Sequence, residues 1–138
     1  MKRALTIFGA MLAITITHYL TPPSYFLWHE ILERLYYLPI VFAAVSFGWI
    51  GGLAAAAFAG ICYAPHIIIA WNDSPRDLAA KYAEIVVFIA VGTVTGVLAD
   101  RERKRAHELR VRKIRASLES SQVAAQSGTR DPQSAGES

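Results

Sequence analysis

The sequence predicts an all-α integral membrane protein: a four-helix bundle, a basic cytoplasmic helical extension and a disordered tail. Three observations carry this prediction. The chain of 138 residues is 54% hydrophobic. Between residues 4 and 99 the only cationic side chains are Arg34, Arg76 and Lys81, whereas eight Lys and Arg residues lie between 101 and 115. A soluble domain would interleave charge with core residues, so the pattern is typical of a membrane body with a basic tail.

The first membrane helix is predicted over residues 4–20. It ends at Thr21-Pro22-Pro23-Ser24, because proline lacks an N–H donor and disfavours helix in the residue before it. A signal peptide would end in a small-x-small cleavage site. The residues after this helix lack such a site, so we expect it to remain uncleaved.

Three further membrane helices are predicted over residues 31–49, 53–70 and 78–99. Pro39 should kink the second of them. The apolar run from Leu35 to Trp71 is too long for one crossing of a bilayer, which takes about 20 residues. Gly48 and the pair Gly51-Gly52 predict the short turn that divides it.

The charge pattern also predicts the orientation. Lys2 and Arg3 stand at one end of the membrane domain, residues 1–99, and the eight basic residues follow its other end. The positive-inside rule places both termini in the cytoplasm of a multi-pass protein in the lipid bilayer. The basic run directly follows an apolar segment, so the same rule accounts for it as a cytoplasmic anchor. We therefore do not expect the protein to bind nucleic acid.

The segment after the membrane domain is predicted as a basic helix over residues 100–118 and a disordered tail over 119–138. Val111, Ile114 and Leu118 follow a spacing of three and four residues, so this helix could pair with a partner helix. The tail is rich in Ser, Gln, Ala and Gly and has no apolar periodicity, which indicates disorder.

Ionisable residues cluster at one depth of the predicted bundle. With a rise of about 1.5 Å per residue, each helix brings one of four candidate ligands to the outer side: His18, His29, His66 and Glu84. Ionisable groups inside a membrane are costly and usually functional. Six neighbours are candidate supporting residues: Glu30, Glu33, Arg34, Tyr36, Tyr37 and Tyr63.

Several chemistries remain open for this layer. The four groups could form only a structural hydrogen-bond network, in which Glu30 pairs with Arg34 and Glu84 with Lys81, Arg34 or a tyrosine. Imidazole and carboxylate also suit a transition metal, with His18, His29 and His66 as ligands, and two histidines could ligate haem. Another ligand or a proton is the remaining option.

Nothing in the sequence points to catalysis, so we expect no enzyme. There is no phosphate-binding glycine loop, and His29-Glu30 lacks the second histidine of a zinc protease motif. In the fourth helix, Gly92 and Gly96 form a Gly-x-x-x-Gly pair that permits close helix packing, with the bundle interior as the expected use.

Several blocks of the sequence resemble the N-terminal membrane region of bacterial sensor histidine kinases. They are His29–Ile40, Phe47–Gly52, Tyr63–His66 and Glu84–Asp100. The layout is also similar, more distantly, to the membrane module of potassium-sensor kinases. The resemblance implies a four-helix input domain in the bacterial inner membrane whose last helix leaves as a basic signalling helix. No phosphoacceptor or ATP-binding region follows in this chain, and His107 lacks that context.

The leading hypothesis is therefore a membrane-embedded sensory module of two-component-type signalling without its own kinase domain. Signal would enter at the His/Glu layer and leave through residues 100–118, toward a second copy or a separate signalling partner. Two alternatives belong to other classes of protein. One is a small structural or assembly subunit of a membrane complex, and the other is a haem-binding membrane protein.

Overall fold

The computed structural model describes residues 2–22, 24–70 and 75–128. Their secondary structure consists of four helices and no strand: α1 (Lys2–Leu20), α2 (Phe26–Leu35), α3 (Tyr37–Ala70) and α4 (Pro75–Gly128). The all-α prediction is thus confirmed. By length and composition, three segments among these residues could cross a membrane: Lys2–Leu20, Leu27–Ile68 and Leu78–Ala125.

The chain divides into two compact units, Met1–Asp100 and Arg101–Ser138. The first unit contains the apolar core, which Met11, Tyr36, Ile40 and Phe88 help to fill. In the second unit, the described side chains of residues 101–125 are all exposed. An ion pair one turn apart, between Arg105 Nη1 and Glu102 Oε1 at 2.9 Å, lies on this exposed helix.

The second predicted helix is longer at its start and is interrupted at Tyr36. It begins at Phe26 rather than residue 31, since the N–H groups of Trp28 and His29 already donate to the Tyr25 carbonyl. The interruption between α2 and α3 precedes Pro39, which cannot donate a hydrogen bond to the turn before it. The Tyr36 N–H instead donates to the Glu33 carbonyl at 3.3 Å, the tighter bond of a 3₁₀ turn.

The apolar run turns back on itself at Gly48, whose φ of 75° and ψ of −160° are not helical. This corrects the predicted division, because the helix resumes at Trp49 and includes Gly51 and Gly52. The Trp49 N–H, which directly follows the break, donates to Asp100 Oδ2 at 3.0 Å. Residues on the two sides of Gly48 then lie antiparallel: Tyr63 donates to Glu33, and a Cβ at Gly52 would meet Ala44.

Glycines allow α4 to approach the second half of α3 closely. A Cβ at Gly92 would collide with the Gly52 carbonyl, and one at Gly96 with the backbone of Trp49. The structure thus places the Gly-x-x-x-Gly pair against α3, inside the first unit. Gly52 serves this approach rather than the turn for which the sequence suggested it.

The last helix extends beyond its predicted limits at both ends. It begins at Pro75 rather than residue 78, with proline at a first helical position, where its missing N–H has no consequence. It continues to Gly128, so residues 119–128, which the sequence predicted as part of a disordered tail, are helical in the structure. Ala, Gln and Glu in this stretch favour helix even without an apolar face. Residues 129–138 lie outside the described residues.

Gly48→Ala should destabilise the first unit by about 1–3 kcal/mol, because an L-residue is strained at a positive φ and its Cβ would overlap the Asp100 carboxylate. The check is the unfolding temperature in mild detergent. Gly9→Ala is the matched control, since a Cβ there meets nothing within 4 Å. Equal unfolding temperatures for the two variants would contradict the assigned turn.

Candidate metal centre

Three of the four predicted ligands converge on one buried site. His18 lies in the last turn of α1, His29 in α2 and His66 in α3, and all three side chains are buried. The ring centroids are 4.3 Å apart for His18 and His66, 4.9 Å for His18 and His29, and 5.2 Å for His29 and His66. One ring nitrogen from each residue lies within 4.8 Å of the other two.

Hydrogen bonds between helices fix the rotation of α1 that brings His18 to this site. The Tyr19 hydroxyl donates to the Cys62 carbonyl on α3 at 3.1 Å. One turn earlier, Thr15 Oγ1 lies 2.8 Å from the Tyr36 hydroxyl. Thr15 also donates to the Met11 carbonyl, so its hydroxyl hydrogen is used there and Tyr36 is the donor toward Thr15.

The loop after α1 sets the tautomer of His29. The Nε2 atom lies 3.0 Å from the Thr21 carbonyl and 3.2 Å from the Pro22 carbonyl. Carbonyl oxygens only accept, so Nε2 carries a proton, which leaves Nδ1 as the atom through which His29 would bind a metal. Such a bond from one imidazole nitrogen to a carbonyl is the usual support of a histidine that binds metal through the other nitrogen.

His18 is the least satisfied polar residue of the site. It is only 2% exposed, and neither of its ring nitrogens has a hydrogen-bond partner among the described residues. Nε2 of His66 is likewise buried without such a partner. Buried polar atoms are rarely left unsatisfied, and each one costs about 1–3 kcal/mol. A cation between the rings would satisfy these lone pairs.

The spacing of the rings fits a metal ion bound by three histidines. With metal–nitrogen bonds of about 2 Å and tetrahedral angles, the ring centres stand about 5 Å apart and the ligand nitrogens about 3.3 Å apart. Two of the observed ring separations match, the third is shorter at 4.3 Å, and the nitrogens would close by about 1.5 Å at most. A three-imidazole set suits Zn, Cu, Fe or Ni.

The same spacing does not fit a haem bound by His18 and His66. Axial imidazoles on opposite faces of an iron atom have ring centres about 6 Å apart, with the porphyrin plane between them. The two rings are 4.3 Å apart in an edge-to-face arrangement, and His29 lies against both. A porphyrin would therefore require these helices to separate.

Glu84, the fourth predicted ligand, does not join the histidines. Its Oε1 accepts a hydrogen bond of 2.5 Å from the Tyr37 hydroxyl, and Glu84, Tyr37 and Arg34 line a separate cavity. Among the options open from the sequence, pairing with a tyrosine is the one observed. The expected pair of Glu30 and Arg34 is present at 3.5 Å, exposed on the surface of α2.

A buried ion pair lies one turn from the histidines and was not foreseen. Lys81 Nζ lies 2.5 Å from Glu33 Oε2, and the Tyr63 hydroxyl donates to Glu33 Oε1. The sequence predicted Glu33 and Tyr63 only as supporting residues and offered Lys81 as one of three possible partners of Glu84. The signal was available, because Glu33 follows His29 by four residues and therefore shares its helix face.

The described residues thus form a helical protein with segments that are apolar enough to cross a membrane. Three of its helices bring three buried histidines together. No protein-family model, no curated protein and no solved structure matches the chain.

Proposed function

We propose that this protein is a membrane-embedded sensory module of two-component-type signalling, whose stimulus is a transition-metal ion bound by His18, His29 and His66. The observation that carries the proposal is the convergence of three buried imidazoles from three helices, with their nitrogens within 4.8 Å. The resemblance of the sequence to sensor-kinase membrane regions supports the signalling part.

The state of His18 favours metal binding over a structural hydrogen-bond network. A structural histidine donates or accepts at its ring nitrogens, and His18 does neither with the described residues. A core that needed only packing at this position would be more stable with an apolar side chain. The imidazole is therefore better explained by a metal ion that binds the lone pair of one of its ring nitrogens.

The proposed topology has four crossings of the bacterial inner membrane, with both termini in the cytoplasm. It is supported by the reversal at Gly48, which would turn the 42-residue segment Leu27–Ile68 into two antiparallel crossings. The eight cationic residues between 101 and 115 would hold the end of the fourth crossing at the cytoplasmic surface. The histidines would then lie near the outer surface, open to metal from outside the cell.

The output would be movement of α4, since α4 supplies none of the three histidines but continues into residues 101–118. A metal ion that prefers one of two packings of the helices shifts the population toward it. The exposed basic helix would pass this shift to a second copy or to a separate signalling protein.

The sensory role is tested by the spacing of the basic helices in a dimer. Ser117→Cys in a Cys62→Ala background carries a spin label, and the distance between labels of two copies is measured in lipid nanodiscs. Addition of Zn²⁺ should change the distance distribution, and the same addition to a His18→Leu, His66→Leu variant should leave it unchanged. Bound Zn²⁺ with no change in distance would refute signalling through this helix and leave the metal site standing.

A further inference from the structure

Among the described side chains of α4, Lys81 reaches the neighbourhood of the histidine centre through its ion pair with Glu33. Lys81 points its ammonium at Glu33, and the two side chains are 13% and 8% exposed. Removing two charges from water is expensive, and a buried ion pair is seldom the most stable solution for its position. In a membrane segment such a pair is by default a functional candidate.

The ion pair and the histidines share the same helix faces. Glu33 is one turn beyond His29 on α2, and Tyr63, which donates to Glu33, is one turn before His66 on α3. The Tyr63 ring also lies edge-on to the His18 ring, with centroids 5.7 Å apart. A shift of the His18 ring would therefore act on Tyr63, whose hydroxyl holds the carboxylate that Lys81 binds.

Electrostatics makes the two sites sensitive to each other. With neutral imidazoles the pair of Lys81 and Glu33 has no net charge. A metal ion one turn away adds one or two positive charges, which repel the ammonium and attract the carboxylate through a low-dielectric interior. The metal and Lys81 thus compete for the single carboxylate of Glu33.

We infer that the Lys81–Glu33 pair regulates the histidine centre: the Lys81 ammonium opposes metal binding, the Glu33 carboxylate favours it, and their contact is the one through which bound metal displaces α4. This inference rests on the proposed metal site and names how that site would be coupled to the output helix. Coupling is reciprocal, so a metal that weakens the ion pair is itself bound more weakly because of Lys81.

The first test is the affinity of the full-length protein for Zn²⁺ in nanodiscs, measured by competition with a chelating dye. Lys81→Met should bind Zn²⁺ about tenfold more tightly than the native protein, because a repelling charge is gone, and Glu33→Gln should bind about tenfold more weakly. Lys104→Met is the matched control, since it removes the same charge from an exposed position of the second unit, and we expect no change.

The second test measures the displacement. Spin labels at Ile31→Cys on α2 and Ala83→Cys on α4, in a Cys62→Ala background, report the distance between the two helices in the first unit. Zn²⁺ should change this distance in the otherwise native protein and not in a Glu33→Gln, Lys81→Met double variant. The double variant removes both charges of the pair together, so it should fold even if Glu33→Gln alone does not.

The outcomes separate the two proposals. If the native protein binds no transition metal, the proposed function fails. If the native protein binds Zn²⁺ and Lys81→Met changes the affinity by less than about twofold, the metal site stands and the opposing role of Lys81 is refuted. If Zn²⁺ still changes the distance between α2 and α4 in the double variant, the ion pair is not the contact that displaces α4.

Discussion

His18→Leu is expected to lower the affinity for Zn²⁺ by at least about 100-fold, because loss of a ligand should exceed the 10–100-fold effect of losing a supporting contact. The same substitution should stabilise the metal-free protein by about 1 kcal/mol, since an apolar side chain replaces an imidazole whose two nitrogens are buried without hydrogen bonds to the described residues. A gain in stability with a loss of binding marks a residue retained for its function.

Two measurements check this expectation: Zn²⁺ titration, and unfolding of the chelator-treated protein in detergent. His107→Leu is the control, because His107 is exposed on the second unit and far along the chain from the three ligands. We expect its affinity for Zn²⁺ to match that of the native protein. A destabilised His18→Leu variant with unchanged metal affinity would contradict the account and make His18 a packing residue.

Gly92→Leu is expected to have the largest effect on folding, a loss of about 3 kcal/mol or more, because overpacking at a tight contact forces the backbones apart. A side chain at Gly92 would meet the Gly52 carbonyl and the Ile40 side chain, neither of which is the flexible end of a long side chain. The separation of α4 from α3 should also weaken the pairing of Lys81 with Glu33.

Gly9→Leu is the matched control for this substitution, since Gly9 lies in α1 with open space at its Cβ position. The unfolding temperature in detergent should fall for Gly92→Leu and stay near the native value for Gly9→Leu. Similar losses in both variants would show that leucine at any helical glycine is harmful, and would refute a close approach of the two backbones.

The helices were predictable because hydropathy, proline and charge act locally. The position of the turn was less predictable. Gly48 and the pair Gly51-Gly52 lie within five residues, and the sequence is apolar both before and after them. Gly48 takes the turn because its positive φ allows the reversal and Asp100, distant in sequence, accepts the freed Trp49 N–H. Gly52 is needed instead where Gly92 approaches it.

The sequence predicted the depth of the candidate ligands in the bundle, but it could not predict how each helix is rotated about its axis. Rise per residue brought His18, His29, His66 and Glu84 to one layer, yet which of them face each other depends on packing around each helix axis. In the structure, α4 turns Lys81 toward Glu33 and Glu84 toward Tyr37, so the described side chains of α4 contribute charge to the neighbourhood and no ligand to the histidines.

The most direct measurement of the central claim is the transition-metal content of the full-length protein, purified in mild detergent and supplied in turn with Zn, Cu, Ni and Fe. We predict about one bound ion per chain for at least one of these metals, and its loss in the His18→Leu, His66→Leu variant with the fold retained. A native protein that takes up none of them, or a variant with the same metal content, would contradict the account.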